Sequence, residues 1–348
     1  MDITRKHFGM YNNHMVTKIT LENDNGVEIS CITLGATWTD FKVPRLDGTK
    51  ANLLLNFDTP AQYEQMLVGQ TVGRVGGRIA HARFHLNNQD YHLEANDGVN
   101  LLHGGAHGFQ HLNWNYTTSR TANSISAIFQ RQITQELDGF PGDILVTIIY
   151  TLNNNDQVTI AYSAQGDSEV DTLFNPTSRA FFNLSDHDNL ASSELMINTP
   201  ERLRLNEELI PTGDMIQVAG TPYDFQELSN IGQALLATDG TGIDMAYVVN
   251  GPGKATQPIA VLRDADTGRQ VTIDSDRNGL MVYTMNHIAS DQIRYSRDEG
   301  KRAHVFEGIA LEAQTLPDAI NQTNFGDIVL PRGGKKTYRT TYTYQLKD

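Results

Sequence analysis

VTIIYTLNNNDQVTIAYSA, residues 146–164, decides the fold class. Its two arms alternate apolar and polar positions, and Val, Ile and Thr dominate both. Between them lies Asn153-Asn154-Asn155-Asp156, four residues that favour turns. A period of two on both sides of such a turn describes a hairpin with one buried face. The plan recurs along the chain. ITLENDNGVEISCIT (19–33) turns at Asn23-Asp24-Asn25-Gly26, RFHLNNQDYHL (83–93) at Asn87-Asn88-Gln89-Asp90, and AVLRDADTGRQVTID (260–274) at Asp266-Thr267-Gly268. KKTYRTTYTYQL (335–346) has the Thr/Tyr alternation of a half-buried strand. Helical signals are few: Asp58-Thr59-Pro60 before AQYEQM, and DFQELSNIGQALLA (224–237). Hairpins without long intervening helices predict an all-β chain, a large antiparallel β-sandwich with a few short helices. No Pro/Gly/Ser-rich linker interrupts it, so residues 1–348 read as a single domain.

The chain has 348 residues, with 39% hydrophobic and 20% charged side chains, so a large core is affordable and disorder is not its theme. A formal net charge of −14 repels phosphate backbones and argues against nucleic acid as partner. The basic residues Arg332, Lys335, Lys336 and Arg339 read as a solvated strand end. The only cysteine, Cys31, excludes an intrachain disulfide, fits a reducing compartment and reads as a buried strand thiol. MDITRKHFGMYNNHM at the N-terminus lacks the apolar stretch of a secretory signal, and no 18-residue apolar run exists. The expectation is a cytoplasmic protein with no membrane partner.

Several chemistries lack their sequence. There is no phosphate loop and no His-Glu-x-x-His, and GRVGGRIA is not a dinucleotide fingerprint. Asp264-x-Asp266-x-Gly268 reads as an Asp-rich turn, without the later glutamate of a calcium loop. Other segments are more informative. In LLHGGAHGFQHLNW (101–114), His103 ends an apolar strand before Gly104-Gly105, and Trp114 closes the segment. It is either a glycine turn with exposed histidines or a histidine presented to a cleft with an aromatic wall. Glu312, inside GIALEAQTLPDAIN (308–321), is either a desolvated base or half of a structural salt bridge. Arg74 and Arg78 both lie on glycine-rich GRVGGRIAHARF (73–84); one reads as structural, and either has the forked donors to hold a carboxylate or sugar hydroxyls. Asp244, in GIDMAYVV (242–249), reads alone as a turn aspartate. Arg179 sits in the apolar run NPTSRAFFNL (175–184), where its charge must meet a carboxylate, solvent or a substrate.

In this order, these segments, together with TPYDF (221–225), resemble the aldose 1-epimerase (galactose mutarotase) family over nearly the whole chain. The resemblance implies a mutarotase-like supersandwich, a sugar cleft on one sheet face, and interconversion of α and β anomers of a free aldose by acid/base ring opening. It implies no cofactor and no metal. The partner is a small sugar, and the chain is a monomer or homodimer. The family's catalytic glutamate falls on Glu312, its HGG-motif histidine on His103, its sugar-binding arginine on Arg78 and its sugar-binding aspartate on Asp244.

Five positions depart from the family pattern. The general-acid histidine of a segment like N-x-T-x-H-x-Y-F-N-L is Arg179. The asparagine usual before the arginine is Gly77, a sugar-contacting glutamine falls on Met281, and Met245-Ala246 stand where His-Asn often follows the aspartate. Guanidinium holds its proton near neutrality, so it serves as a fixed electrostatic donor rather than an acid. His103 is then the leading alternative acid, with His287 and His107 behind it. Two other readings follow from Arg179: a carbohydrate-binding homologue without strong catalysis, or an epimerase for phosphorylated or uronic sugars.

Overall fold

A computed structural model describes residues 1–166, 169–249, 258–288 and 291–347. The hairpin at 146–164 forms as its alternation demands. Strand Ile144–Asn153 pairs antiparallel with Gln157–Gly166, with Leu152 opposite Val158 and Ile148 opposite Tyr162. Ile144, Val146, Ile148, Tyr150 and Leu152 all point inward and are fully buried. The Asn153 carboxamide oxygen accepts the backbone N–H of Asn155 and of Gln157, closing the turn. Asn23 does the same with Asn25 and Val27 in the first hairpin. The two turns dock, because the Asn23 amide donates to Asp156 Oδ1 at 2.7 Å.

Three antiparallel sheets carry the molecule. Five strands from Asp2–Tyr11 to Lys50–Asn52 follow one another in chain order. Nine strands form the second sheet, in which Lys335–Leu346 lies centrally between Gln157–Gly166 and Arg269–Ser275. The third has the spatial order Phe181–Phe182, Ile309–Gln314, Gly279–Tyr283, Asp244–Val248, Glu201–Leu205, Pro211–Gln217. Trp38 ties all three together. Its ring meets Phe41 of its own sheet, Tyr150 and Tyr342 of the second, and Phe182 of the third, at centroid distances of 5.2–6.3 Å. The main core fills the space between the sheets, with Cys31 buried in it. The architecture is the expected all-β sandwich.

Three short α-helices are found among the described residues: Pro60–Met66, Gln135–Asp138 and Ile231–Ala237. The helical reading of 224–237 is corrected to its second half. The Asn230 side chain accepts the Gln233 N–H and starts the helix there, while Ser229–Asn230 itself pairs as a strand. No helix among the described residues is long and apolar enough to cross a membrane.

Candidate active site

The site is built on the third sheet. In the antiparallel register Glu312 lies opposite Met281 and Met281 opposite Ala246, while Ala310, Tyr283 and Asp244 form the next row. Paired residues share a face, and side chains two apart along a strand do too. The register therefore places Glu312, Met281, Tyr283 and Asp244 on one face. The intervening Leu280, Val282, Leu311, Ala313 and Tyr247 point into the main core. Over the first face lies a cleft of about 290 Å³, lined by Gly77, Arg78, Leu102, His103, Arg179, Leu209, Asp244, Met281, Tyr283, His287 and Glu312. All five sequence-predicted site residues meet there.

His103 is delivered by a tight backbone junction. Strand Leu101–Leu102 ends at His103, and Gly104 follows at φ +81°. A Cβ on Gly104 would fall 1.9 Å from the Gly73 carbonyl oxygen, so only glycine lets the two segments touch. The Gly77 N–H donates to His103 Nδ1 at 3.1 Å. Nδ1 is thus an acceptor, and the proton of the neutral ring sits on Nε2. Burial, with Arg179 and Arg78 nearby, pushes the ring's pKa well below the usual histidine value. His103 offers the cleft a neutral N–H.

Arg179 Nη1 stands 3.4 Å from His103 Nε2. Both atoms carry hydrogen, so this is two donors facing each other rather than a hydrogen bond. The guanidinium lies over the rings of Phe181 and Tyr283, 5.3 and 5.6 Å from their centroids. Its Nε lies 3.8 Å from Glu312 Oε1, and among the described residues that buried N–H has no hydrogen-bond partner. Arg179 therefore neither collapses onto Glu312 nor turns to solvent.

Glu312 is 3% exposed. Burial pushes its carboxyl up to about 7; Arg179 pulls it down and Asp244 adds to the rise. Asp244 is also raised by burial, against the pull of Arg78 and Arg179. Arg78 Nε donates to Asp97 Oδ2 at 2.7 Å, so its fork is held at the cleft edge. The floor thus carries acceptors, and the wall carries donors.

The two arginines of the glycine-rich segment separate cleanly. Arg74 is fully buried, forks onto Asp138 at 2.6 and 3.0 Å and also donates to Pro141 O, Gly142 O and Thr172. It is structural. Gly77, at φ +70°, has Gln314 Nε2 2.9 Å from where a Cβ would stand. An asparagine there would have to displace the Gln314 amide, which accounts for the glycine.

Three expectations are corrected. Trp114 is not the aromatic wall: it is buried, its Nε1 donates to Phe109 O, and it stacks edge-on against Phe109. Tyr283 is the wall instead, and its hydroxyl accepts the His287 N–H at 3.2 Å. His107 is exposed and outside the cleft, whereas His287 lines it. His103 is also unsuited to act as an acid, because its surroundings oppose the imidazolium. Tyr283, Leu209 and Asp97 were not legible in advance. Tyr283 alone had a usable signal, its spacing two residues from Met281 in one strand. Among the described residues no group of three or more His, Cys, Asp or Glu is placed to hold a metal ion.

The family model described as "Aldose 1-epimerase" matches residues 17–343. The chain is 42% identical over 347 residues to an aldose 1-epimerase of Streptococcus thermophilus, covering 99% of each chain. It is 40% identical over 355 residues to a maltose epimerase of Levilactobacillus brevis, covering all of both. A crystal structure of galactose 1-epimerase from Lactobacillus acidophilus superimposes with a TM-score of 0.84 at 25% identity, over 100% of this chain and 99% of that one. The sandwich is thus of the galactose mutarotase type, and the chain belongs to the aldose 1-epimerase family of isomerases.

Proposed function

We propose that this protein interconverts the α and β anomers of a free aldose in the cleft above Glu312. The observation that carries the reading is Glu312 itself: a buried carboxyl that burial raises to about 7, 3.8 Å from the Arg179 guanidinium and with no hydrogen-bond donor to it among the described residues. Such a group accepts and returns a proton at physiological pH. In the first step the Glu312 carboxylate takes the anomeric hydroxyl proton. The C1–O1 bond becomes a carbonyl as the bond from C1 to the ring oxygen breaks. The ring oxygen leaves as an alkoxide, held by the Arg179 N–H groups and the His103 Nε2–H. The aldehyde rotates about C1–C2, the alkoxide attacks its other face, and Glu312 returns the proton to O1. One proton leaves and comes back, and Arg179 never gives one up. Arg78 and Asp244 hold hydroxyls on the remote side of the ring.

Neither alternative from the sequence is favoured. Arg78 is already paired with Asp97 at 2.7 Å, which disfavours a phosphate or carboxylate beside it. A binding protein without catalysis has no use for a carboxyl kept near neutrality. We place the protein in the cytoplasm as a single-domain monomer or homodimer. Polarimetry of freshly dissolved α-glucose, α-galactose and maltose tests the reading. Acceleration over buffer supports it; sugar binding without acceleration overturns it.

A further inference from the structure

The segment that carries Arg179 is joined to the strand of Glu312 in two different ways. Phe182 pairs with Ile309 and Phe181 with Ala310 in a backbone ladder. Continued by two residues, that ladder would bring Arg179 directly opposite Glu312. It does not continue. Thr177 and Ser178 pair instead with Val72 and Thr71, and the Arg179 N–H donates to Gln70 O at 2.9 Å. From there side chains replace the ladder. The Thr177 hydroxyl donates to Ala313 O at 2.9 Å. The Asn175 side chain takes both backbone groups of Thr315, accepting the N–H at 3.0 Å and donating to the carbonyl at 3.1 Å. Arg179 thus stands on a segment held off the strand of Glu312 by the length of a side chain.

Arg277 closes this clasp. It is fully buried, its Nη2 donates to Asn175 Oδ1 and to Thr315 Oγ1, and its guanidinium lies over the Tyr338 ring, 3.4 Å from the centroid. Its Nε and Nη1 have no hydrogen-bond partner among the described residues, so its anchoring rests on the clasp. Asn175 and Thr177 are themselves buried, and neither lines the cleft.

We propose that Asn175 and Thr177 are positioning residues for the anomer exchange: their side chains, locked by Arg277, hold the Arg179 guanidinium far enough from Glu312 to leave the carboxylate free for the anomeric hydroxyl. The proposal rests on the acid/base reading set out above. Released from the clasp, the segment can approach the strand, and the guanidinium can close from 3.8 Å to a direct hydrogen bond on Glu312. The other ionisable groups around Glu312 stand on other elements: Asp244, Arg78, His103, Tyr283 and His287 in the cleft and Tyr342 in the core.

The test is polarimetry of the parent, Thr177→Val, Thr177→Ser and Asn175→Ala on both sides of neutral pH, with the sugar the parent turns over fastest. Thr177→Val keeps the shape of the side chain and deletes the hydroxyl. It should lower kcat about tenfold with KM within about twofold. It should also move the midpoint of the kcat/KM rise about one pH unit below the parent's, the worth of the hydrogen bond that Arg179 gains on Glu312. Asn175→Ala should act in the same direction more strongly. Thr177→Ser keeps the hydroxyl and should restore the parent's rate and midpoint. Loss of folded protein alone lowers the signal and leaves KM and the midpoint where they were. The proposal is overturned if the Thr177→Val midpoint is unchanged or raised, if its kcat per folded protein stays within about twofold of the parent's, if the loss falls on KM, or if Thr177→Ser is impaired equally. No acceleration by the parent would instead remove the anomer exchange itself, and this proposal with it.

Discussion

Two buried carboxylates, Asp40 in the first sheet and Glu312 in the third, are treated in opposite ways. Asp40 is 1% exposed, yet it sits 2.6 Å from Lys18 Nζ and 3.6 Å from Lys42 Nζ. The Thr39 hydroxyl and the side-chain amides of Asn52 and Asn56 also donate to it. Burial alone would raise its carboxyl, but Lys18 and Lys42 outweigh that and hold it below the usual range. Glu312 is nearly as buried and, among the described residues, accepts no such hydrogen bonds; the Arg179 guanidinium stops at 3.8 Å. Burial wins there, and the carboxyl rises to about 7. Desolvation is common to both, so the difference lies in the donors. A satisfied carboxylate is a structural pin, and an unsatisfied one is a proton acceptor waiting for a partner.

The comparison can be broken from either side. Glu312→Gln removes the proton acceptor and should lower kcat on the order of a thousandfold or more, measured by polarimetry with sugar in excess. Full activity in that variant would refute the assigned role. Asp40→Ala leaves Lys18 facing an emptied shell and should cost roughly 2–4 kcal/mol of stability in a denaturant titration, with kcat unchanged in the folded fraction. Arg179→Ala withdraws the donor facing the nascent alkoxide. It should lower kcat by about a hundredfold or more, with a much smaller change in KM.

Stability moves opposite to activity. Glu312 has a folded pKa above its unfolded value of 4.5, so its contribution is fully present below that value and is lost as pH rises through about 7. Above neutrality the ionised carboxylate burdens the fold. Glu312→Gln should therefore gain on the order of 2 kcal/mol over the parent at pH 8 and gain little at pH 5. Equal effects at both pH values would place the carboxyl in a more hydrated setting than the cleft. The smallest effect is on the shape of the pH profile. The base must be ionised to work, so kcat/KM should rise through about pH 7 and then level off. The fixed Arg179 donor produces no alkaline fall, and a bell-shaped profile would point to a second titrating group, with His287 at the cleft the first to test.

How far such differences can be read in a sequence depends on what creates them. The hairpins were legible because alternation and turn residues are local, as in Leu152 to Val158. Glu312 was legible because a carboxylate flanked by Leu311 and Ala313 has no cheap place to go. Arg74 and Arg78 were not separable, since the partner that fixes Arg74, Asp138, comes from a helix 64 residues later. Trp114 misled because adjacency to the His103 loop in sequence did not become adjacency to the cleft. Leu209 reaches the site through the spatial order of six strands, which no short segment encodes. The departure at Arg179 was visible, but its meaning depended on the position of one nitrogen relative to His103.

That pair of facing donors also fixes which mimics the cleft will accept. Glycoside-cleaving sites stabilise positive charge at the ring position and so welcome sugars with a protonated nitrogen in place of the ring oxygen. Here the same compounds would bring a cation and extra hydrogens to a place that already holds Arg179 and the His103 Nε2–H. They should compete less well than glucose. A lactone, which adds an acceptor and no charge, should compete better, so inhibitor preference alone separates this chemistry from glycoside hydrolysis.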